Sequence, residues 1–174
     1  MKTIKIRSAF LLLLFYWLLQ TGFAVAQDIP FVPSVSNYTT SNYNAGNQNW
    51  AIAQDHVGIL YFANNSGLLS FDGVNWTLHS LPNNRGVKSI LIDSNTNKER
   101  IYVGAFEEFG YFERNSKNKL MYHSLKHLIN DYTFRNDELW TIVKHNHTIY
   151  FQSFSSFFSY NEEPDIATAH TPRP

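Results

Sequence analysis

Short apolar runs alternate with clusters of Asn, Gly, Asp and Ser between residues 50 and 161. The clearest example is residues 58–76, where apolar runs at 59–62 and 68–71 are separated by the turn residues 64–67. Runs of this length between turn residues predict β-strands joined into hairpins. The runs are continuous rather than alternately apolar and polar, which is typical of strands that are covered on both faces.

This pattern occurs three times along the chain. Without gaps, the same spacing joins Tyr61, Leu68 and Phe71, then Tyr102, Phe109 and Phe112, then Tyr150, Phe157 and Tyr160. Tyr61 and Tyr102 are 41 residues apart and Tyr102 and Tyr150 are 48 apart, which fits one four-stranded propeller blade per repeat. Ankyrin and tetratricopeptide repeats would need long helical faces, which this pattern lacks.

We therefore predict an all-β fold, an incomplete β-propeller of about three four-stranded blades. The predicted strands are 50–55, 59–62, 68–71 and 75–81 in blade one, 87–93, 101–105, 109–113 and 120–123 in blade two, and 139–144, 149–151 and 157–160 in blade three. Residues 124–130 are expected to form a helical turn or two. Nine aromatic side chains are predicted to fill the space between blades: Tyr61, Phe71, Trp76, Tyr102, Phe109, Phe112, Tyr150, Phe157 and Tyr160.

The two ends of the chain differ from the repeats. Residues 1–26 have a basic start, an apolar run at 9–19 and a small-x-small site at 24–26, which predicts a signal peptide cleaved after Ala26. A retained membrane anchor is the alternative. Residues 27–49 are predicted to be an extended lead-in, in which Tyr38 could pack on blade one. Residues 162–174 contain three prolines and no strand-like run, so we expect a disordered tail and a third blade without its outer strand.

The composition limits which cell compartment and which classes of binding partner fit this chain. Residues 1–26 hold three of the 14 basic residues and no acid, so the remainder has 11 basic against 14 acidic residues. This balance gives no electrostatic footprint for nucleic acid. The absence of cysteine excludes a disulfide framework, and export without disulfides suits a bacterial periplasm.

Four segments also resemble a known family. AGNQNWAIAQD at 45–55, YFANNSGLLSFDG at 61–73, YVG at 102–104 and EFGY at 108–111 are similar to the amino-terminal sensor region of two-component-regulator-propeller proteins from Bacteroidetes. The resemblance implies a periplasmic propeller followed by a triple-tyrosine immunoglobulin-like domain, a membrane helix and a cytoplasmic output. That output would be a histidine kinase or a helix-turn-helix domain.

From this resemblance we expect the amino-terminal fragment of a transmembrane regulator that senses a nutrient such as a glycan. Its expected partners are an oligosaccharide and the downstream domains of the full-length sensor, with the membrane reached only through a downstream helix that this chain lacks. The alternatives are a secreted propeller enzyme, such as a lyase or glycan hydrolase, and a passive interaction scaffold.

The sequence offers little support for catalysis or metal binding. His145 and His147, and likewise His123 and His127, have spacings suited to two metal ligands, but neither pair has a carboxylate or cysteine at a fixed spacing. The adjacent carboxylates at 107 and 108 would point to opposite sides of a strand, unlike a facing glycosidase pair. We find no nucleophile elbow, phosphate loop or zinc motif, and predict a non-enzyme without cofactor or metal.

Candidate ligand-binding residues follow from the propeller geometry. Inter-blade connections and second-to-third-strand loops lie at one end of a propeller, and loops commonly carry binding residues. Here those loops contain side chains able to bond sugar hydroxyls: Asn47, Gln48, Asn49, Asn64, Asn65, Asn84, Arg85, Glu107 and Glu108. The alternative is that the asparagines only form turns, because Asn readily adopts left-handed backbone conformations.

Overall fold

A computed structural model describes residues 13–16, 32–94 and 99–171. The chain divides into two compact units, Met1–Ser36 and Asn37–Pro174. In the first unit, residues 13–16 form one exposed helical turn and residues 32–36 have no regular structure. The rest of the predicted signal peptide and its cleavage site lie outside the described residues.

The second unit contains three four-stranded antiparallel sheets, each with its strands in sequence order. The first sheet has β1 Asn49–Gln54, β2 Leu60–Asn64, β3 Gly67–Phe71 and β4 Trp76–His79. The second has β5 Val87–Asp93, β6 Arg100–Ala105, β7 Glu108–Arg114 and β8 Leu120–Ser124. The third has β9 Thr141–His145, β10 Thr148–Gln152, β11 Phe157–Asn161 and β12 Ile166–His170. The predicted all-β, incomplete propeller is confirmed.

Helical structure among the described residues of this unit is limited to short turns. The α-helix α1, Thr40–Tyr43, interrupts the lead-in that was predicted to be extended. It is closed locally, because Asn42 Oδ1 accepts the Thr39 N–H at 2.7 Å and Asn44 ends it with φ 47°. Two 3-10 turns follow at Pro82–Asn84 and Lys126–Leu128, the second within the segment predicted to form a helical turn.

The third sheet has its fourth strand, which corrects the prediction of a disordered tail for residues 162–171, while residues 172–174 lie outside the described residues. Residues 166–170 form β12, which pairs with β11 through Tyr160↔Ala167 and Phe158↔Ala169. The prolines do not prevent pairing, because Pro164 lies in the turn before β12 and the other two follow it. Ala167 is 8% exposed, so this small side chain packs between the third sheet and the second.

Two apolar clusters hold the sheets together. The first lies between the first and second sheets and includes Tyr61, Leu68, Val87, Ile101, Val103 and Phe112. The second lies between the second and third sheets and includes Tyr102, Phe109, Ile149, Phe151, Phe158 and Tyr160. Residues 101–105 of β6 are all buried, as expected for a strand covered on both faces.

Five of the nine predicted core aromatics are buried: Tyr61, Tyr102, Phe109, Phe112 and Tyr160. Phe71, Trp76 and Tyr150 are half-buried, but they lie on the outward faces of the first and third sheets and not between sheets as predicted. Phe157 is 41% exposed, which corrects its assignment to the core. It lies on the face of the third sheet that points away from the second, and no described residue forms a sheet against that face.

Two tyrosines of the lead-in, Tyr38 and Tyr43, cover part of the outward face of the first sheet. The rings of Phe71 and Trp76 stack at 4.4 Å between centroids. Tyr38 lies 5.3 Å from each of them, and Tyr43 of α1 lies 5.4 Å from Trp76. The lead-in therefore packs on this sheet through its tyrosines, and Tyr38 contacts the first blade as the sequence suggested.

The first strands of the three sheets, β1, β5 and β9, lie side by side. Their amino-terminal ends meet the second-to-third-strand hairpins and the connections between sheets. Backbone hydrogen bonds join these loops: Asn65 N–H to Gln48 O at 3.1 Å, Glu107 N–H to Asp137 O at 2.7 Å and Trp140 N–H to Gln152 O at 3.0 Å. We call this end of the unit the rim, comprising residues 44–50, 64–67, 80–88, 105–108, 125–140 and 152–156.

Candidate functional site

The rim contains all nine residues that the sequence singled out, but it exposes them unequally. Four amides near the lead-in are exposed, namely Asn47, Gln48, Asn49 and Asn65, as is Asn84. Arg85 and Glu107 are half-buried. Asn64 and Glu108 are buried at 0% and 7% exposure, so they offer no surface to a ligand.

The Asn64 side chain attaches the end of the lead-in to the β2–β3 hairpin. Its Oδ1 accepts the Gly46 N–H and the Ser66 N–H, both at 2.9 Å. Its Nδ2 donates to Gly46 O at 2.7 Å and to Asn49 Oδ1 at 2.8 Å. The amide is therefore satisfied within the chain, and its role is structural.

Glu108 likewise has a structural role. Its Oε1 accepts hydrogen bonds from the Tyr122 hydroxyl at 2.9 Å and the Ser124 hydroxyl at 2.7 Å. Burial of Tyr122, together with the neighbouring Glu108 carboxylate, raises the pKa of that phenol far above its usual value. Glu108 therefore links β7 to β8.

The Glu107 side chain bonds a different part of the rim from Glu108, as expected for adjacent carboxylates. It adopts a left-handed conformation with φ 47° in the β6–β7 turn. Its Oε1 accepts the Asn136 N–H at 3.0 Å. Because the two glutamates have separate partners, they form no facing acid and base pair.

Asn84 and Arg85 lie in the connection between the first two sheets. Asn84 has φ 52°, which fits the turn-forming role that was the alternative to binding. Arg85 Nη1 donates to Phe106 O, and its guanidinium lies 5.5 Å from the Phe106 ring centroid. Phe106 is 37% exposed, so the pair presents both a cation and an aromatic edge at the rim.

Asn65 organises the exposed amides. Its Oδ1 accepts the indole N–H of Trp50 at 2.7 Å, and its Nδ2 donates to Gln48 Oε1 at 3.2 Å. These bonds fix the orientation of both neighbours. The remaining lone pairs and N–H groups of the amides are available at the surface.

A cluster at the centre of the rim was not among the sequence candidates. Lys88 Nζ lies 4.1 Å from the ring centroid of Trp50 and 5.2 Å from that of Trp140, and the two indoles meet edge to face at 5.2 Å. Glu138 Oε1 lies 3.8 Å from the same ammonium. We call Trp50, Lys88 and Trp140 the axial cluster. A cation over an aromatic face is an attractive arrangement that also orders the long lysine side chain.

The three members of the axial cluster occupy equivalent positions in the repeats. Each member lies two residues before an isoleucine of its first strand. That isoleucine pairs with the residue that follows the repeated tyrosine, in the pairs Ile52↔Phe62, Ile90↔Val103 and Ile142↔Phe151. In β1 and β5 the register shifts just there, between Asn49 and Ile52 and between Val87 and Ser89. Such bulges redirect side chains at sheet ends. Extending the repeat alignment back to the first strands could have found these residues.

The histidine pairs named from the sequence lie in no metal-binding group within the described part of the chain. Among residues 13–16, 32–94 and 99–171, no group of three His, Cys, Asp or Glu side chains is placed to hold a metal ion. His145 and His147 are exposed on either side of Asn146, at the opposite end of the unit from the rim. His123 stacks on Tyr111 at 5.0 Å.

Charged groups at that opposite end connect the sheets. Arg100 pairs with Glu113 at 3.0 Å and with Glu162 at 3.1 Å, and Glu162 also accepts the Tyr102 hydroxyl. Between the first two sheets, Tyr61 donates to Asp55 at 3.2 Å and accepts from Arg114 at 3.1 Å. Burial raises the pKa of Tyr61 to about 12. These groups bond one another, so we assign them to stability.

Comparisons with known proteins identify the fold. No protein-family model and no curated protein matches the chain. Solved structures do match, among them two of the extracellular domain of BT4673 from B. thetaiotaomicron, described in one case as a putative hybrid two-component system and in the other as a putative one-component system. Each has a TM-score of 0.53 and 19% identity, and covers 72% of this chain.

This similarity shows that the chain has the fold of part of the BT4673 extracellular domain. The match covers 16% of either neighbour's length, so it corresponds to a small part of a longer extracellular domain. Within the part of the chain that the structure describes, no helix is long and apolar enough to cross a membrane.

Proposed function

We propose that this chain is the amino-terminal part of a periplasmic sensor propeller in a transmembrane signalling or transcription regulator, and that its ligand is a carbohydrate. The fold shared with an extracellular domain of a two-component system supports the sensor role. The further partners would be the downstream domains and membrane helix of the full-length sensor. The segment itself is proposed to be non-enzymatic, to need no cofactor and to make no nucleic-acid contact.

The observation that carries the carbohydrate proposal is the composition of the rim. Exposed amides at Asn47, Gln48, Asn49 and Asn65 lie beside exposed aromatic surface at Trp50. Sugars present hydroxyls that both donate and accept hydrogen bonds, and amides offer both functions in one group. Binding sites commonly combine aromatic surface with a few positioned polar groups.

The test is calorimetric titration of the purified chain with cellohexaose, maltohexaose, mannohexaose, xylohexaose and hexagalacturonate. We expect at least one to bind. Asn65→Ala and Arg85→Ala should each weaken that binding about 2- to 12-fold, the value of one lost hydrogen bond.

Asn75→Ala is the matched control, because Asn75 is an exposed asparagine in the β3–β4 turn at the opposite end, with its Nδ2 on Asp72 at 3.2 Å. Melting curves should show that all three variants are folded. Absence of binding by the whole panel, or equal affinity in the rim and control variants, would contradict the proposal.

A further inference from the structure

We propose that the axial cluster is the sugar-stacking site of the rim, and that it takes a neutral pyranose ring on Trp50 with its hydroxyls bonded by Lys88 and Glu138. This inference rests on the proposed carbohydrate function and gives it a location and a ligand class. None of its three central residues was among the rim amides and charges suggested by the sequence.

The first argument is convergence. Trp50, Lys88 and Trp140 come from the same position of three successive repeats, and β1, β5 and β9 bring them together at one point. The side chains at the core positions of the repeat are aliphatic or aromatic, as with Tyr61 and Tyr102. The axial position instead carries an aromatic, a cation and an aromatic. That combination suits a polar ligand with an apolar face better than it suits core packing.

The second argument is exposure. Trp50 is 40% exposed although it is among the largest apolar side chains, and it belongs to neither of the two core clusters. Phe154 is 90% exposed and its ring lies 6.1 Å from that of Trp140. Exposed apolar surface that is rimmed by polar groups marks interaction sites. A pyranose ring has one face of C–H bonds that can cover the part of the Trp50 indole that Lys88 leaves exposed, while its hydroxyls remain at the edge.

Preorganisation is the third argument. The Trp50 indole is fixed by its N–H bond to Asn65 at 2.7 Å and by the Lys88 ammonium at 4.1 Å. The Lys88 side chain is only 13% exposed, so its rotamers are already restricted. A site that is ordered before the ligand arrives loses less conformational entropy on binding.

The fourth argument concerns charge and selects the ligand class. Lys88 Nζ and Glu138 Oε1 are 3.8 Å apart, which is an ion pair but too long for a direct hydrogen bond. Each group can therefore bond a hydroxyl placed between or beside them. Because the carboxylate already balances the ammonium, the site has no surplus cation for a uronate or a sulfate ester. A neutral sugar is the complementary ligand.

Tryptophan fluorescence titration tests this directly, because two of the chain's four tryptophans form the cluster. The probes are cellohexaose, maltohexaose, mannohexaose and xylohexaose, with hexagalacturonate as the acidic counterpart. We expect a neutral hexasaccharide to change the emission and to bind at least as tightly as hexagalacturonate.

Three variants locate the site. Trp50→Ala should weaken binding of that hexasaccharide by about tenfold or more, as expected when a stacking side chain worth roughly 1.4 kcal/mol is lost. Lys88→Met keeps the apolar stem and removes the donor, and should weaken binding several-fold. Trp76→Phe, on the outward face of the first sheet, should bind like the unmodified chain. Trp50→Phe retains a ring and should bind with intermediate affinity, which separates lost stacking from lost folding.

The outcomes distinguish this inference from the broader proposal. If no probe binds, the carbohydrate function fails and this inference with it. If a neutral probe binds but Trp50→Phe and Lys88→Met bind it unchanged, the carbohydrate function stands and the axial site is wrong. If hexagalacturonate binds and the neutral probes do not, the charge argument is overturned.

Discussion

Side chains of the same chemistry play opposite roles at adjacent positions of the rim. Asn64 is buried with all its hydrogen bonds inside the chain, whereas Asn65 is exposed and orients Trp50. Glu108 is buried against two hydroxyls, whereas Glu107 bonds one backbone N–H at a half-exposed turn. Residue type indicates what a side chain can bond, and backbone position decides whether the fold already uses that capacity.

Glu108→Ala should therefore reduce stability rather than ligand binding. The change leaves the Tyr122 and Ser124 hydroxyls without their acceptor in a largely buried site. Leaving a buried donor unpaired costs about 1 to 3 kcal/mol, and we expect a loss of that size in the free energy of unfolding from urea titration. Glu107→Ala is the adjacent control and should change stability by less than about 0.5 kcal/mol. Equal losses in the two variants would show that burial of Glu108 does not matter.

At the scale of strands, the apolar runs and turn residues were sufficient to predict eleven of the twelve strands that the structure describes in this unit. The predicted bounds of β5 agree with the structure, because Val87–Asp93 lies between clear turn signals. β12 was missed because its sequence, IATAH, has two alanines, which are depleted in strands, and because prolines lie on both sides of it. Its strand conformation depends on pairing with β11 and on packing, which are long-range effects that local pattern cannot contain.

Adjacent residues of β12 allow a direct test of that packing. Ala167 is 8% exposed and belongs to the cluster between the second and third sheets, while Thr168 is exposed on the opposite face. Ala167→Asp places a carboxylate in apolar surroundings and should lower the free energy of unfolding by roughly 2 kcal/mol or more. Thr168→Asp should have a much smaller effect in the same chemical denaturation experiment. A tail without fixed structure would tolerate both changes alike.

At the scale of the whole unit, propeller geometry predicted where the rim loops meet but not the axial cluster. Trp50, Lys88 and Trp140 are far apart in the sequence, and each alone resembles an ordinary strand residue. Their meeting depends on how β1, β5 and β9 lie beside one another, and on bulges that redirect two of the side chains. Aligning the first strands of the repeats would have paired these positions, but sequence spacing does not show that their side chains meet.

The two outermost sheet faces of the unit differ in their cover. Part of the outward face of the first sheet is covered by Tyr38 and Tyr43 of the lead-in. The outward face of the third sheet has no such cover from described residues, and exposes Val143 by 51%, Phe157 by 41% and Ile166 by 52%. In the first two sheets the equivalent face packs on the next sheet. The third sheet therefore leaves these three apolar side chains exposed on the face that is covered in the other two sheets.

This surface should make the purified chain self-associate. Exposed apolar side chains on an open sheet favour contact between copies, so we expect concentration-dependent association in sedimentation velocity. The double variant Val143→Lys, Ile166→Lys should shift the chain toward monomer, because charged lysines on an exposed face oppose such contacts without entering the core. Val74→Lys is the control, since Val74 is 81% exposed but lies in the β3–β4 turn away from this face, and it should associate like the unmodified chain. A monomer at every concentration, or equal association in the double variant and the control, would show that the outward face of the third sheet does not drive contact between copies.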